Sequence, residues 1–195
     1  AIHDYSINAE KIIVVPNTIH PDIYLSYVVN PAIVPPSSEF TLLYMGDTGL
    51  RRGTDTAIHA LSILRNAGHS VRLILVGSNT EDKKLHKIVN DLGLQAHVLF
   101  EGWQDVSKFP SYTALSDVCL SPLKRNLHHD TTYANKIFQY MAMGKPVIVS
   151  DCPAQARVIR ESHSGLVHRA NDPGDLAAKV LTILENPSIR KKMGE

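Results

Sequence analysis

The chain has little of what marks several large classes of protein. It carries two cysteines, Cys119 and Cys152, each in or just after an apolar run. That is too few for a disulfide-stapled scaffold, and the pair reads as buried thiols in a reducing cytosol. Net charge is nearly absent: 20 Lys and Arg against 19 Asp and Glu leave +1. Such a balance gives no electrostatic reason to expect nucleic acid as a partner. No run of about 18 apolar residues occurs, so no membrane-spanning helix is expected. Ala1-Ile2-His3-Asp4 lacks the basic region and apolar core of a signal peptide, and the chain does not begin with Met. The expectation is therefore a piece of a longer cytoplasmic protein. No Gly-x-Gly-x-x-Gly opens the first crossover, which speaks against a dinucleotide oxidoreductase, and no Gly-Lys-Ser/Thr ending makes a P-loop. No repeat or low-complexity segment is visible. His128-His129-Asp130 are the residues that invite a metal. Adjacent side chains rarely converge on one ion, and no distant Cys/His set supports them, so no metal is expected.

What is present suffices for one well-buried domain: 195 residues, 44% of them hydrophobic. Lys11 to Val15 reads as a short strand closed by Pro16-Asn17. Tyr24 to Ser38 is loop-like, broken by Pro31, Pro35, Pro36, Ser37 and Ser38. From Phe40 onward strands and helices alternate. Apolar runs at 40–45, 71–76, 98–100, 118–120 and 147–149 read as buried strands, and 165–167 as an edge strand. Between them lie helical patterns at 54–66, 81–92, 106–115 (interrupted near Pro110), 135–143 and 155–161. Two more follow, from Asp172-Pro173 through Leu184 and from Pro187 to the end. Strands separated by helices of this length need right-handed crossovers. The expected fold is α/β, a Rossmann-like parallel sheet with helices on both faces. Ligands of such sheets bind beyond the carboxyl ends of the strands, at the topological switch point. The loops that begin at Gly46, Gly77, Gly102 and Pro122 are therefore the candidate site.

The first of these reads Gly46-Asp47-Thr48-Gly49-Leu50-Arg51-Arg52-Gly53. Glycine lets backbone approach a ligand, and two guanidinium groups supply planar forks of donors that suit phosphate. The segment from Thr131 to Asp151 reads as a loop, a helix, a turn at Gly144-Lys145-Pro146 and a buried strand. Its first helical turns carry Asn135, Lys136 and Gln139, where free backbone N–H groups suit an anion. Gly77-Ser78-Asn79 reads as a turn. Trp103, the single tryptophan, either stacks on a base or covers the core.

The string Asn135-Lys136-Ile137-Phe138-Gln139-Tyr140-Met141-Ala142-Met143-Gly144-Lys145-Pro146-Val147-Ile148 resembles the donor-binding segment of retaining, nucleotide-sugar-dependent glycosyltransferases of family four, which have the GT-B architecture. Lys11 to Ile19 resembles the string that closes the N-terminal domain of that family. The resemblance runs from Lys11 to about Leu184. It implies that residues 1–38 are a linker and the end of a missing acceptor domain, and that 39–195 bind a nucleoside-diphosphate sugar. It also implies a cytoplasmic, metal-independent hexosyltransferase without a cofactor, acting in polysaccharide or glycoconjugate synthesis. Peripheral association of the full-length protein with the inner membrane face is part of the same expectation. This piece alone should bind donor and transfer nothing.

The donor-binding residues implied are Gly46, Gly49, Arg51, Arg52, Gly77, Trp103, Thr131, Thr132, Asn135, Lys136 and Gln139. No catalytic residue emerges. Three positions depart from the family pattern. Asp47 stands where an arginine is expected, so either Arg51 takes over the missing contact, the reading favoured, or Asp47 points away. Thr131 and Gln139 replace a pair of glutamates. These departures leave open a non-catalytic nucleotide-sugar-binding domain, and the architecture also allows a sugar-nucleotide epimerase or phosphorylase.

Overall fold

The computed structural model describes residues 8–11, 13 and 18–195. Most of the strand expected from Lys11 to Val15 lies outside the described residues. Lys11 itself ends a 3-10 turn, Ala9–Lys11, and Ile13 is exposed. In chain order the elements are α1 (Pro21–Leu25), β1 (Phe40–Met45), α2 (Thr54–Asn66), β2 (Val71–Val76) and α3 (Asp82–Asp91). Then come β3 (Val98–Gly102), α4 (Phe109–Leu115), β4 (Val118–Ser121), α5 (Leu127–Thr131) and α6 (Asn135–Ala142). The last are β5 (Val147–Ser150), α7 (Pro153–Ser162), β6 (Gly165–His168), α8 (Pro173–Glu185) and α9 (Pro187–Gly194). No helix of the described residues is long and apolar enough to cross a membrane.

The strands form one sheet in the order β3-β2-β1-β4-β5-β6, and every pairing is parallel. The fold is Rossmann-like, as the alternation of strand and helix predicts. Because both faces are covered, the central strands are apolar at nearly every position: β2 is buried throughout, and its one charged residue, Arg72, donates to the Thr41 hydroxyl and the Pro35 carbonyl. Successive side chains of a strand point to opposite faces. Thus Leu42 and Tyr44 of β1 join Ala57, Leu61 and Leu64 of α2, with α3 and α8, in one core. Leu43 and Met45 join Tyr112, Ile137, Tyr140 and Ile159, from α4, α6 and α7, in the other. The chain leaves β1 toward β2 on one side and reaches β4 on the other, so the switch point lies between β1 and β4.

Three local expectations need correction. Tyr24 and Leu25 belong to α1, not to a loop, because Pro21 opens a helical turn and buries Tyr24. The 30–36 segment that follows is docked on the sheet: Val34 enters the second core, and Arg72 donates to the Pro35 carbonyl at 3.0 Å. Pro110 does not interrupt a helix but sits in the first turn of α4, where its missing N–H costs nothing. A 3-10 turn, Val106–Lys108, capped by Asp105, precedes it. The third case is α5, inside what reads as an open loop. Its signal is Asn126, whose side chain accepts from the His129 N–H as an N-cap.

Candidate functional site: a cationic cleft at the switch point

A cleft of about 400 Å³ opens beyond the carboxyl ends of β1 and β4. Its walls are the loop after β1, the segment from Leu123 to α6, and Phe109 of α4. The backbone at the switch point is tightly constrained. Gly46 has φ +116, and its carbonyl lies where a Cβ on Gly77 would sit, 1.9 Å away. A Cβ on Gly53, at φ +76, would meet the Pro122 carbonyl at 1.7 Å. The glycines thus let three loops pack backbone to backbone, which a side chain at either position would prevent.

Asp47 is the centre of the first loop. Its Oδ1 accepts from the Gly49 N–H (3.0 Å) and the Asn79 Nδ2 (2.6 Å). Its Oδ2 accepts from Arg51 Nη2 (3.0 Å) and Arg52 Nε (3.2 Å). Partial burial alone would raise this carboxyl, but the bonds from Gly49, Arg52 and Asn79 prevail and hold it below the usual carboxylate range. Neither reading of Asp47 from the sequence covers this arrangement: it points at the loop's donors and is saturated by them. The loop after β2 braces the same structure, with Glu81 accepting from the Leu50 N–H at 3.0 Å.

From α6, Lys136 reaches back to the loop after β1, where a Cβ on Gly46 would meet its Nζ at 3.2 Å. Its Nζ lies 3.6 Å from the Tyr44 ring centroid, a cation–π contact. Burial, and secondarily the charge of Arg52, push its ammonium well below the ordinary lysine value, with Asp47 opposing. Among the described residues no carboxylate lies within ion-pair distance of it. Tyr140, one turn on, accepts from the Met45 N–H at 2.9 Å and locks α6 to the end of β1.

The segment after β4 is pinned from both ends. Lys124 pairs with Asp55 at 2.6 Å, and its N–H donates to the Arg51 carbonyl at 3.2 Å. Arg125 grips Asp130 through two bonds, 2.6 and 2.9 Å, which keeps that acid out of the cleft wall. His129 is buried, with Nδ1 2.7 Å from the Lys124 carbonyl. Nδ1 also lies 3.0 Å from the Asn126 amide nitrogen, and Nε2 is buried and without a partner among the described residues. Burial pushes its imidazole below the ordinary value, so it is neutral near pH 7. Among the described residues no three His, Cys, Asp or Glu side chains are grouped so as to hold a metal ion.

Of the residues singled out from the sequence, Gly46, Arg52, Thr132, Asn135, Lys136 and Gln139 line this cleft together. Gly49, Arg51, Gly77, Trp103 and Thr131 do not. Gly49 and Gly77 shape the first loop from behind, and Arg51 is spread over the surface, 55% exposed, on Asp47. Trp103 is 74% exposed beyond the sheet edge strand β3, so it does not cover the core. The Thr131 hydroxyl turns back to the Leu127 carbonyl at 2.8 Å. Phe109 and Tyr133 line the cleft without having been singled out, since neither carries charge or stands in a motif. The His129 ring also reaches the wall, through the cap that Asn126 announces.

Comparison with known proteins bears on the family and the fold. The family profile described as Glycosyl transferases group 1 matches residues 39–186. A lipopolysaccharide core biosynthesis glycosyltransferase of Rhizobium meliloti, LpsE, is 28% identical over 160 residues, which is 82% of this chain and 44% of that protein. Among solved structures, WaaG, a glycosyltransferase involved in lipopolysaccharide biosynthesis, superposes with a TM-score of 0.79 at 21% identity, over 99% of this chain and 52% of its own. Anabaena HepE in complex with UDP-glucose superposes with a TM-score of 0.72 at 21% identity, over 80% of this chain and 42% of its own. The chain thus spans about half the length, or less, of these proteins. On the match to residues 39–186, this chain belongs to the group 1 glycosyl transferases.

Proposed function

We propose that the cleft binds the nucleoside diphosphate of a sugar donor, and that the whole protein moves the sugar to an acceptor held by a second domain. The observation that carries this is the pair of cations that line the cleft: Arg52 on the loop after β1, and Lys136 from α6, which has no carboxylate partner among the described residues. An ammonium partly withdrawn from water, with no counter-anion among the described residues, suits an anionic ligand. When the anomeric bond breaks, negative charge grows on the departing diphosphate, and fixed cations stabilise it. On this reading transfer is retaining and metal-independent, and the occupant of HepE, UDP-glucose, illustrates the ligand class. Gln139 lines the cleft one helical turn beyond Lys136 and makes no side-chain hydrogen bond among the described residues. We assign it to the ribose, where its carbonyl accepts from one hydroxyl and its amide donates to the next.

The test is calorimetry with nucleoside diphosphates and the matching bare nucleosides. Arg52→Ala should weaken diphosphate binding by about 1.5–3 kcal/mol, the scale of a charge-assisted bond. The nucleoside should lose far less. Equal losses for both would remove Arg52 from the phosphate site. A chelator should leave the affinity unchanged; sensitivity reversed by magnesium or manganese would contradict metal independence. Gln139→Ala should cost roughly 1 kcal/mol for the ribonucleotide, and much less for its 2′,3′-dideoxy analogue. Identical behaviour toward both analogues would cancel the ribose assignment. One observation favours a second reading, a donor-binding domain without turnover: Thr131 and Gln139 stand at the two positions where the family resemblance implies a glutamate. Donor consumption by the full-length protein separates the two.

A further inference from the structure

We infer that Asp47 is a positioning residue that holds Arg52 with its terminal guanidinium nitrogens free for the diphosphate. This rests on the proposed function and deepens it. A carboxylate beside a diphosphate site would ordinarily repel the ligand. Asp47, however, has no unsatisfied oxygen, since each takes two donors. It holds Arg52 through Nε, the inner nitrogen of the fork, while Nη1 and Nη2 make no hydrogen bond to any described residue. The same carboxylate fixes the Gly49 N–H at the start of the 3-10 turn Leu50–Arg52, so it sets both the backbone and the side chain of Arg52. A flexible arginine fixed before the ligand arrives loses less freedom on binding. Charge does not oppose this. Of the Asp, Glu, Lys and Arg side chains that line the cleft, Arg52 and Lys136 outnumber Asp47, while Glu81 and Asp82, outside the lining, are engaged by the Leu50 N–H and the Thr48 hydroxyl. The surface position of Arg51 has a role on this view. It supplies a second positive charge to Asp47, so that the carboxylate can bind Arg52 without neutralising it.

The opposite function is conceivable for the same contacts, namely that Asp47 competes with phosphate for the arginines. A double-mutant cycle separates the two, with ADP, GDP and UDP titrated calorimetrically into the parent, Asp47→Asn, Arg52→Ala and the double variant. Positioning predicts that Asp47→Asn lowers diphosphate affinity about tenfold in the parent, even though it adds one positive unit of net charge. In the Arg52→Ala background the same change should be neutral or favourable. A gain of affinity in the parent background would make Asp47 a competitor. Equal losses in both backgrounds would make it general loop support, and either result overturns the inference. A second readout needs no ligand. The Arg52 Nε–H signal in a nitrogen-15 NMR spectrum should be sharp and protected from exchange in the parent, and exchange-broadened in Asp47→Asn. An unchanged signal would overturn the inference. If no diphosphate binds the parent, the proposed function fails, while the NMR comparison still decides whether Asp47 orders Arg52.

Discussion

Lys136→Met is expected to abolish most diphosphate binding while leaving the fold at least as stable as before. The lost contact is charge-assisted and half-buried, so the cost to binding should be about 3 kcal/mol, on the order of a hundredfold in affinity. The bare nucleoside should bind as to the parent. Stability should move the other way. Burial disfavours the charged form of Lys136 in the folded state, whereas an unfolded lysine stays charged up to its ordinary value. The folded state is therefore destabilised at every pH below that value, fully so beneath the depressed folded-state pKa. Methionine keeps much of the packing on Tyr44 and removes the buried charge. Urea midpoints at pH 7 should consequently be equal or higher for Lys136→Met. The same shift gives affinity a pH dependence. A bound diphosphate favours the protonated amine, so binding takes up a proton above the depressed value. Affinity should fall as pH rises through a range where an ordinary lysine has not begun to titrate. A pH-independent affinity from neutrality to pH 9 would contradict the role given to Lys136.

Gly53→Ala is expected to cost at least about 3 kcal/mol of stability, combining left-handed backbone strain with a backbone clash. Gly68 is the control. It too has a positive φ, +87, but a Cβ there would meet nothing within 4 Å. Gly68→Ala should therefore cost only the conformational penalty, about 1 kcal/mol. The difference measures how closely the loop after β1 must pass the loop after β4. Because the Pro122 carbonyl cannot retreat without moving the segment that carries Leu123 and Lys124, Gly53→Ala should also weaken diphosphate binding. Urea denaturation of the two variants is the measurement. Equal losses would mean that the loops can separate, and that the cleft is less rigid than its contacts suggest.

Much of the frame follows from residue type and spacing. Parallel strands covered on both faces are mostly apolar, so 40–45 and 71–76 declare themselves despite Thr41 and Arg72, and the helices between them fix the crossovers. The Gly46–Gly53 loop is legible as a candidate anion site, since glycine admits close backbone approach and guanidinium supplies a fork of donors. What one dimension does not show is direction. Nothing in the string Gly-Asp-Thr-Gly tells that Asp47 collects four donors, one of them from Asn79 on another loop. Nor does it tell that Trp103 faces water or that the Thr131 hydroxyl turns back into its own helix. Phe109, at the start of α4, and Tyr133, in the segment before α6, enter the cleft wall through packing that only the folded sheet creates. Pro110 reads as an interruption only while the start of its helix is unknown.

The claim that the switch-point cleft holds a nucleoside diphosphate is tested most directly by amide chemical-shift mapping. ADP, GDP and UDP would be titrated in turn into the nitrogen-15-labelled chain. The expected result is a saturable set of shifts for at least one of them, concentrated at Gly46, Asp47, Arg52 and Gly53 and from Thr132 to Gln139. Little change is expected at β6, α9 or the 27–33 segment. Shifts centred on those other regions, or none at millimolar ligand, would contradict the assignment of the cleft.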